Sequence, residues 1–319
     1  MYRLRGNDVY FPLLIALLKV SRIFPTWFRR ALIRAISLTA YKMSGRKRRS
    51  TIRAVDAAFG ADFNANRKRD ITRGAFYQFW LETFLMAPSS AEIQTLESLS
   101  LRGEEHLRAA LSRGKGVLLV ETNAFGSRNI ARRALHARGY ALHQVHAREH
   151  LGSGVIVDPG EWNWAADWLS QFFKACEMEY LAEIIYLPKS DSLVFTRVLL
   201  DLLKQNSLVC LAGDGKKTQR LIGLPFLRLE GMFSTGIVSL ARTSGATVLP
   251  LFCFRQDNGE MQVVIEPAID VESLPGREAS LIAGVRKWVA YLETYCRLHP
   301  EQYYAWIELV RKSSQDPIT

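Results

Sequence analysis

Side chains able to do chemistry gather in a few places along the chain. Glu121 closes the apolar run Gly116-Val-Leu-Leu-Val120. A carboxylate at a strand end becomes a general base if burial raises its pKa, and serves equally as a salt-bridge or capping group. Asp214-Gly215-Lys216-Lys217 follows a second apolar run. Lys216 and Lys217 after the glycine turn suit a phosphate, or simply water. His143, His146 and His150 lie close together with Glu149. On a helix the three histidines would share a face, but 141–146 reads as a strand, where 143 and 146 point oppositely. No cysteine or second acid stands at ligand spacing, so neither a metal nor a cofactor is expected. Trp162, Trp164 and Trp168 suit either a pocket wall or a core. Cys176, Cys210, Cys253 and Cys296 have no metal or redox spacing, which fits buried free thiols in a reducing cytoplasm.

These residues need a scaffold. From about 96 onward, short runs rich in Val, Leu and Ile alternate with amphipathic stretches. Strands are expected at 116–120, 141–146, 185–187, 207–212, 247–255 and 261–266. Helices are expected at 129–138, 162–184, 192–204, 235–244 and 278–298. The turn Gln256-Asp-Asn-Gly259 joins two of these strands as a hairpin. The fold class is therefore α/β, a mixed central sheet flanked by helices. Residues 10–95 read as mainly helical, which divides the chain into 1–95, a basic amphipathic region, and 96–319, an α/β core.

Charge is unevenly placed. The 319 residues carry 42 Lys and Arg against 31 Asp and Glu, a net charge of +11. Twelve of those bases and one of those acids, Asp8, fall in residues 1–50, so the rest is neutral. A localised basic face binds nucleic acid or anionic lipid. The interleaved aliphatics (Leu13-Leu-Ile-Ala-Leu-Leu18, Ile23-Phe24, Trp27-Phe28, Ala31-Leu-Ile33) favour lipid, because burial of an apolar face supplies the non-ionic part of interfacial binding. The longest charge-free run, 9–18, is shorter than the roughly 20 residues that span a bilayer. A helical N-terminal segment facing an anionic membrane surface, peripheral and without nucleic acid, is the expectation. The same apolar face packed on the protein's own core is the plainer reading, and both can hold on different faces.

Three stretches resemble the lysophospholipid acyltransferase superfamily, most closely its lipid A late-acyltransferase branch. The first is Gly116-Val-Leu-Leu-Val120 with Ala124-Phe125-Gly126. The second is Leu211-Ala-Gly-Asp-Gly215, Leu224-Pro225-Phe226, Ser234-Thr235-Gly236 and 241–250, Ala-Arg-Thr-Ser-Gly-Ala-Thr-Val-Leu-Pro. The third is His299-Pro300-Glu301-Gln302-Tyr303 with Trp306. The resemblance implies transfer of an acyl group from a carrier thioester, of acyl-ACP or acyl-CoA type, to a hydroxyl or amine. It implies the cytoplasmic side of the inner membrane and an interaction with a carrier protein.

That family places H-x-x-x-x-[DE] after the first core strand, where the histidine takes the acceptor's proton and the acid orients the imidazolium. Aligned on Phe125-Gly126, the two positions here hold Ala124 and Asn129, and a one-residue shift gives Asn123 and Arg128. No histidine in the chain is followed five residues later by an acid. By the same resemblance Asp214 matches a family aspartate and Arg148 lies near a family arginine. Glu121, Asp214 and Arg148 are therefore the candidate catalytic groups, with Asn123, Ser127, Arg128, Asn129, Lys216 and Lys217 as candidate substrate contacts. Two readings follow: an acyl or aminoacyl transferase with a non-standard site, or an inactive relative that binds lipid or a partner protein. A nucleic-acid binder is the weaker third.

Overall fold

A computed structural model of the chain describes residues 6–147, 157, 160, 162–188, 193–214, 221–271 and 276–313. Five helices lead: α1 (Gly6–Ser21), α2 (Thr26–Met43), α3 (Gly45–Phe59), α4 (Ala65–Leu85) and α5 (Ser90–Glu97). The capping box of Ser89 and Glu92 starts α5. Then come β1 (Leu101–Arg102), α6 (Glu104–Ser112), β2 (Val117–Glu121), α7 (Arg128–His136), β3 (Leu142–His146), α8 (Trp164–Glu177) and β4 (Glu183–Tyr186). They are followed by α9 (Leu193–Lys204), β5 (Leu208–Ala212), the hairpin β6 (Leu221–Phe226) and β7 (Leu229–Ser234), and α10 (Gly236–Ser244). The chain closes with β8 (Thr247–Arg255), β9 (Met261–Ile265), α11 (Arg277–Leu298) and α12 (Trp306–Ser313).

Seven strands form one sheet in the order β1-β9-β8-β2-β5-β3-β4. From β8 to β4 all neighbours are parallel, whereas β9 runs antiparallel to β8. The hairpin at Gln256–Gly259 reverses the chain there and makes the sheet mixed, as its sequence implies. The expected helix over 162–184 stops earlier, at Glu177. Residues 183–186 instead pair with β3 in the register His143↔Glu183 to His146↔Tyr186, because the Ile-Ile-Tyr run prefers a pleated, half-buried edge. The β6–β7 hairpin was not legible as strands. Pro225 sits in it, and its turn needs Leu227 at φ 57, with no glycine to advertise the position.

The alternation of β2 divides the interior. Leu118 and Val120 enter a core built with α3, α9, α10, α11 and α12, while Val117 and Leu119 enter a second core built with α1, α6, α7 and α8. Residues 1–95 contribute to both. Phe11, Leu14, Ile15 and Leu18 of α1 are buried in the second core, and Val55 and Phe59 of α3 in the first.

Not every N-terminal cation reaches solvent. Arg29 is fully buried, pairs with Glu92 at 2.9 Å and donates to Ser21 Oγ and to the carbonyls of Phe84 and Ala87. It fastens α2 to α5 and to the end of α4. Arg48 donates to the carbonyls of Tyr41 and Lys42 at the end of α2, where helix carbonyls lack partners. The opposite faces carry Val20, Ile23 and Trp27 in the open, with Lys19, Arg30 and Arg34 beside them. No described helix is long and apolar enough to cross a membrane.

Candidate active site

The three resembling stretches converge at the carboxyl end of β2 and β5. β2 ends at Glu121, level with Ala212 of β5. Two residues beyond Ala212, the Asp214 carboxylate accepts the Thr122 hydroxyl at 2.7 Å and the Asn123 N–H at 2.9 Å. The Thr122 hydroxyl accepts the Ala124 N–H. From the far end of the chain the Tyr304 N–H donates to the Ala124 carbonyl and its phenol to the Asn123 carbonyl. Gln302 accepts the Gly126 N–H on its carbonyl and locks both backbone polar groups of Arg255 with its side chain. Gly126 has φ +64, and a Cβ there would lie 1.9 Å from the Cys253 carbonyl oxygen. Only glycine passes that strand so closely.

This junction opens into a cavity of about 620 Å3, lined by Asn123, Ala124, Arg128 and Asp214, by Arg46 and Lys47 of α3, Phe79 of α4, Met232 and Phe233 of β7, and residues of the 303–309 segment other than Trp306. Its size is that of a small-molecule site. Asn123, Arg128 and Asp214, three of the residues singled out in the sequence, thus lie together around Ala124. Arg128 donates to the Asn123 side-chain oxygen. Lys47 stands over the Phe79 and Phe76 rings, 4.8 and 5.5 Å from their centres, and its place inside the concavity lowers its pKa by desolvation.

Glu121, Ser127 and Asn129 do not line this cavity. Period-two alternation turns Glu121 toward the second core, where it is fully buried and both carboxylate oxygens take the Arg132 guanidinium. Its position is that of a structural ion pair on the opposite side of the sheet, which speaks against its meeting an acceptor. Arg132 also lies 3.7 Å from Glu177, which lies 3.5 Å from His146 at the end of β3. Burial alone would raise the Glu177 carboxyl, but His146 and then Arg132 hold it at about 2. Asn129 accepts from Arg132 and from the Tyr180 hydroxyl. Arg148, His150, Lys216 and Lys217 lie outside the described residues. His143 and His146 take opposite faces of β3, His143 toward Glu183. Trp164 and Trp168 are exposed on α8. All four cysteines are buried thiols.

A buried carboxylate escaped the sequence reading. Glu82 of α4 is buried behind the loop and accepts the Ser127 hydroxyl, while Gln78 donates to the Gly126 carbonyl and to Ser127 Oγ. Burial raises the Glu82 carboxyl to about 7 against the pull of Ser127, Arg128 and Arg132. The signal was available: Gln78 and Glu82 stand one turn apart in an otherwise apolar stretch and so share the buried face. Lys47, Arg46 and Tyr304 were missed as cavity residues because no spacing joins them to Asp214.

A parallel-dominated α/β sheet with its cavity at the strand carboxyl ends is a common setting for enzyme sites. Over residues 183–310 the chain matches the family model of bacterial lipid A biosynthesis acyltransferases, and the match supports an acyltransferase-like function. It covers less than half of the chain. It includes Asp214, β7 and the 303–309 wall but stops short of 116–129, where the proton-accepting motif would stand. No curated protein matches the chain.

Two outcomes follow from these placements. Glu121→Gln leaves Arg132 buried without its main counter-charge and is expected to cost about 3–5 kcal/mol in urea unfolding. Glu82 carries the opposite sign from a paired carboxylate. Its folded pKa lies above the unfolded value of 4.5, so the folded state holds the extra proton and stability falls as pH rises between about 4.5 and 7. The loss approaches about 3 kcal/mol above that window. Urea titrations at pH 5 and pH 8 should show it in the wild type and find it largely gone in Glu82→Gln.

Proposed function

We propose that the chain is a membrane-surface acyltransferase with a non-standard site, moving an acyl or aminoacyl group from a carrier thioester to an amine or hydroxyl acceptor. The observation that carries this is the cavity itself. The Asp214-clamped loop, Arg128 and the 303–309 wall surround the position where the related enzymes have their histidine, and the matched family part supplies Asp214 and that wall.

In such a transfer the acceptor nitrogen or oxygen bonds to the thioester carbonyl carbon and the carbon–sulfur bond breaks. The thiolate leaves and takes the acceptor's proton. A deprotonated amine needs little help from a base, so an amine acceptor tolerates Ala124 better than a hydroxyl does. The start of α7, whose Ser127 side chain makes no capping bond, offers N–H groups of the kind that hold a carbonyl oxyanion. Asp214 acts by holding the loop. A second reading, an inactive relative that only binds lipid or a partner, is favoured by one observation. Glu121 and Glu82, two carboxylates near the lost histidine, lie off the cavity.

Peripheral placement on the cytoplasmic side of the inner membrane belongs to this proposal. The support is the α1–α2 corner, where Ile23 and Trp27 are 80% and 70% exposed beside Arg30 and Arg34. Wild-type protein should float with anionic vesicles, and Ile23→Asp with Trp27→Asp should stay in the bottom fraction. Equal flotation of both would remove this face from the proposal.

Mass spectrometry of the purified protein with acyl-carrier and acyl-CoA thioesters, with and without amine and lipid acceptors, tests the reaction. Acceptor-dependent loss of the acyl group is expected, reduced about 100-fold or more in Asp214→Asn, with melting temperature compared in parallel. The asparagine turns an NH2 donor toward groups that now donate. Intact thioester with every donor and acceptor tried would support the inactive reading.

A further inference from the structure

The cavity carries cations that acyl transfer alone does not use. Arg46 and Lys47 enter it from the first turn of α3, and Arg128 from the first turn of α7. Among the described residues none of the three lies within ion-pair distance of a carboxylate. Asp214 and Glu308 also line the cavity, but the Asp214 oxygens already accept from Thr122 and Asn123. Neighbouring Arg48 has its own work on the α2 carbonyls, whereas Arg46 and Lys47 have none there. Cations at a helix start oppose the helix dipole, and neither first turn contains an acid to offset them. Such an arrangement costs free energy in the empty protein and repays it when an anion binds. Part of the wall is apolar, formed by Met232, Phe233, Ile307 and Leu309.

We propose that Arg46, Lys47 and Arg128 form an anion subsite that takes a phosphate ester attached to an apolar chain. The ester is either the phosphate of the donor's pantetheine arm or the headgroup phosphate of a lipid acceptor. This deepens the reading of the cavity as an acyl-transfer site, yet the binding needs no turnover and is tested apart from it. Arginine and lysine donate charge-assisted hydrogen bonds to phosphate oxygens. The Phe79 ring beneath Lys47 holds the ammonium in place without neutralising it.

Calorimetric titration of the full chain with octyl phosphate and with octanol separates the phosphate from the chain. Octyl phosphate is expected to bind at least about tenfold more tightly, with a preference that shrinks as salt is raised. Arg46→Gln combined with Lys47→Gln should abolish the preference without lowering the melting temperature, since both side chains are exposed on the first turn of α3 and oppose its dipole. Lys47→Arg should keep it. Phosphopantetheine and octanoyl-lysophosphatidate then tell the two sources apart: tighter binding of the first assigns the subsite to the donor, of the second to the acceptor. Equal affinity for octyl phosphate and octanol would overturn the proposal and leave thioester chemistry untouched. So would a folded double variant that keeps the phosphate preference.

Discussion

The segment after β2 leaves the sheet with unpaired backbone groups, and a single carboxylate from the neighbouring strand takes them up. Asp214 accepts the Asn123 N–H and the Thr122 hydroxyl, and Thr122 passes the constraint to Ala124. Parallel pairing of β2 with β5 is what brings Asp214 there, since the register Glu121↔Ala212 puts residue 214 just past the strand end. Once the loop is held from below, Gln302 and Tyr304 can seal it from the other side. Residues about 180 positions apart thus share one small junction. The cavity is the space left beside it by α3, β7 and α12.

The same sheet keeps two kinds of charge apart. Side chains at odd positions of β2 face α7 and α8, and there Glu121, Arg132, Glu177 and His146 form a closed network with Asn129 and Tyr180. Groups of this kind in a low-dielectric interior interact chiefly with one another. Arg46 and Lys47 belong to the other side, and Arg128 reaches the cavity from the first turn of α7. Arg132 and Arg128 are one helical turn apart on α7, so the internal network that anchors Arg132 also fixes the direction in which Arg128 enters the cavity.

How much of this was legible in the sequence depended on the range of the interaction. Strand runs such as Val117–Glu121 and Thr247–Arg255, and the Asp-Asn-Gly hairpin, are local patterns and read correctly to within a residue or two. Asn123, Arg128 and Asp214 were found because their motifs keep a recognisable spacing around Phe125-Gly126 and Leu211-Ala-Gly. Glu121 was legible in place but not in direction. Its alternation with Val117 and Leu119 already pointed it away from Val120, and that parity should have outweighed its nearness to Ala124 in the chain. Arg46, Lys47 and Tyr304 meet the site only through tertiary packing, which no spacing records. The basic N-terminal segment divided along helix faces, with Arg29 inside and Arg30 outside, a distinction the 3.6-residue period makes available once α2 is recognised.

Ala124 and Asn129, the two positions that the resemblance compares with a histidine and an acid, face different surroundings. Asn129 stands on α7 between Arg132 and Tyr180, facing the network and away from the cavity. In that place a carboxylate would be a third acid around a guanidinium already shared by Glu121 and Glu177. A neutral amide fits, accepting two hydrogen bonds while its NH2 turns to the Met86 sulfur. With no acid at 129 to orient it, an imidazole at 124 would lack the group that holds its tautomer and stabilises its cation. Ala124 instead packs in the first core. Among the described residues no histidine lines the cavity, so the transfer proposed above suits an acceptor that arrives already nucleophilic.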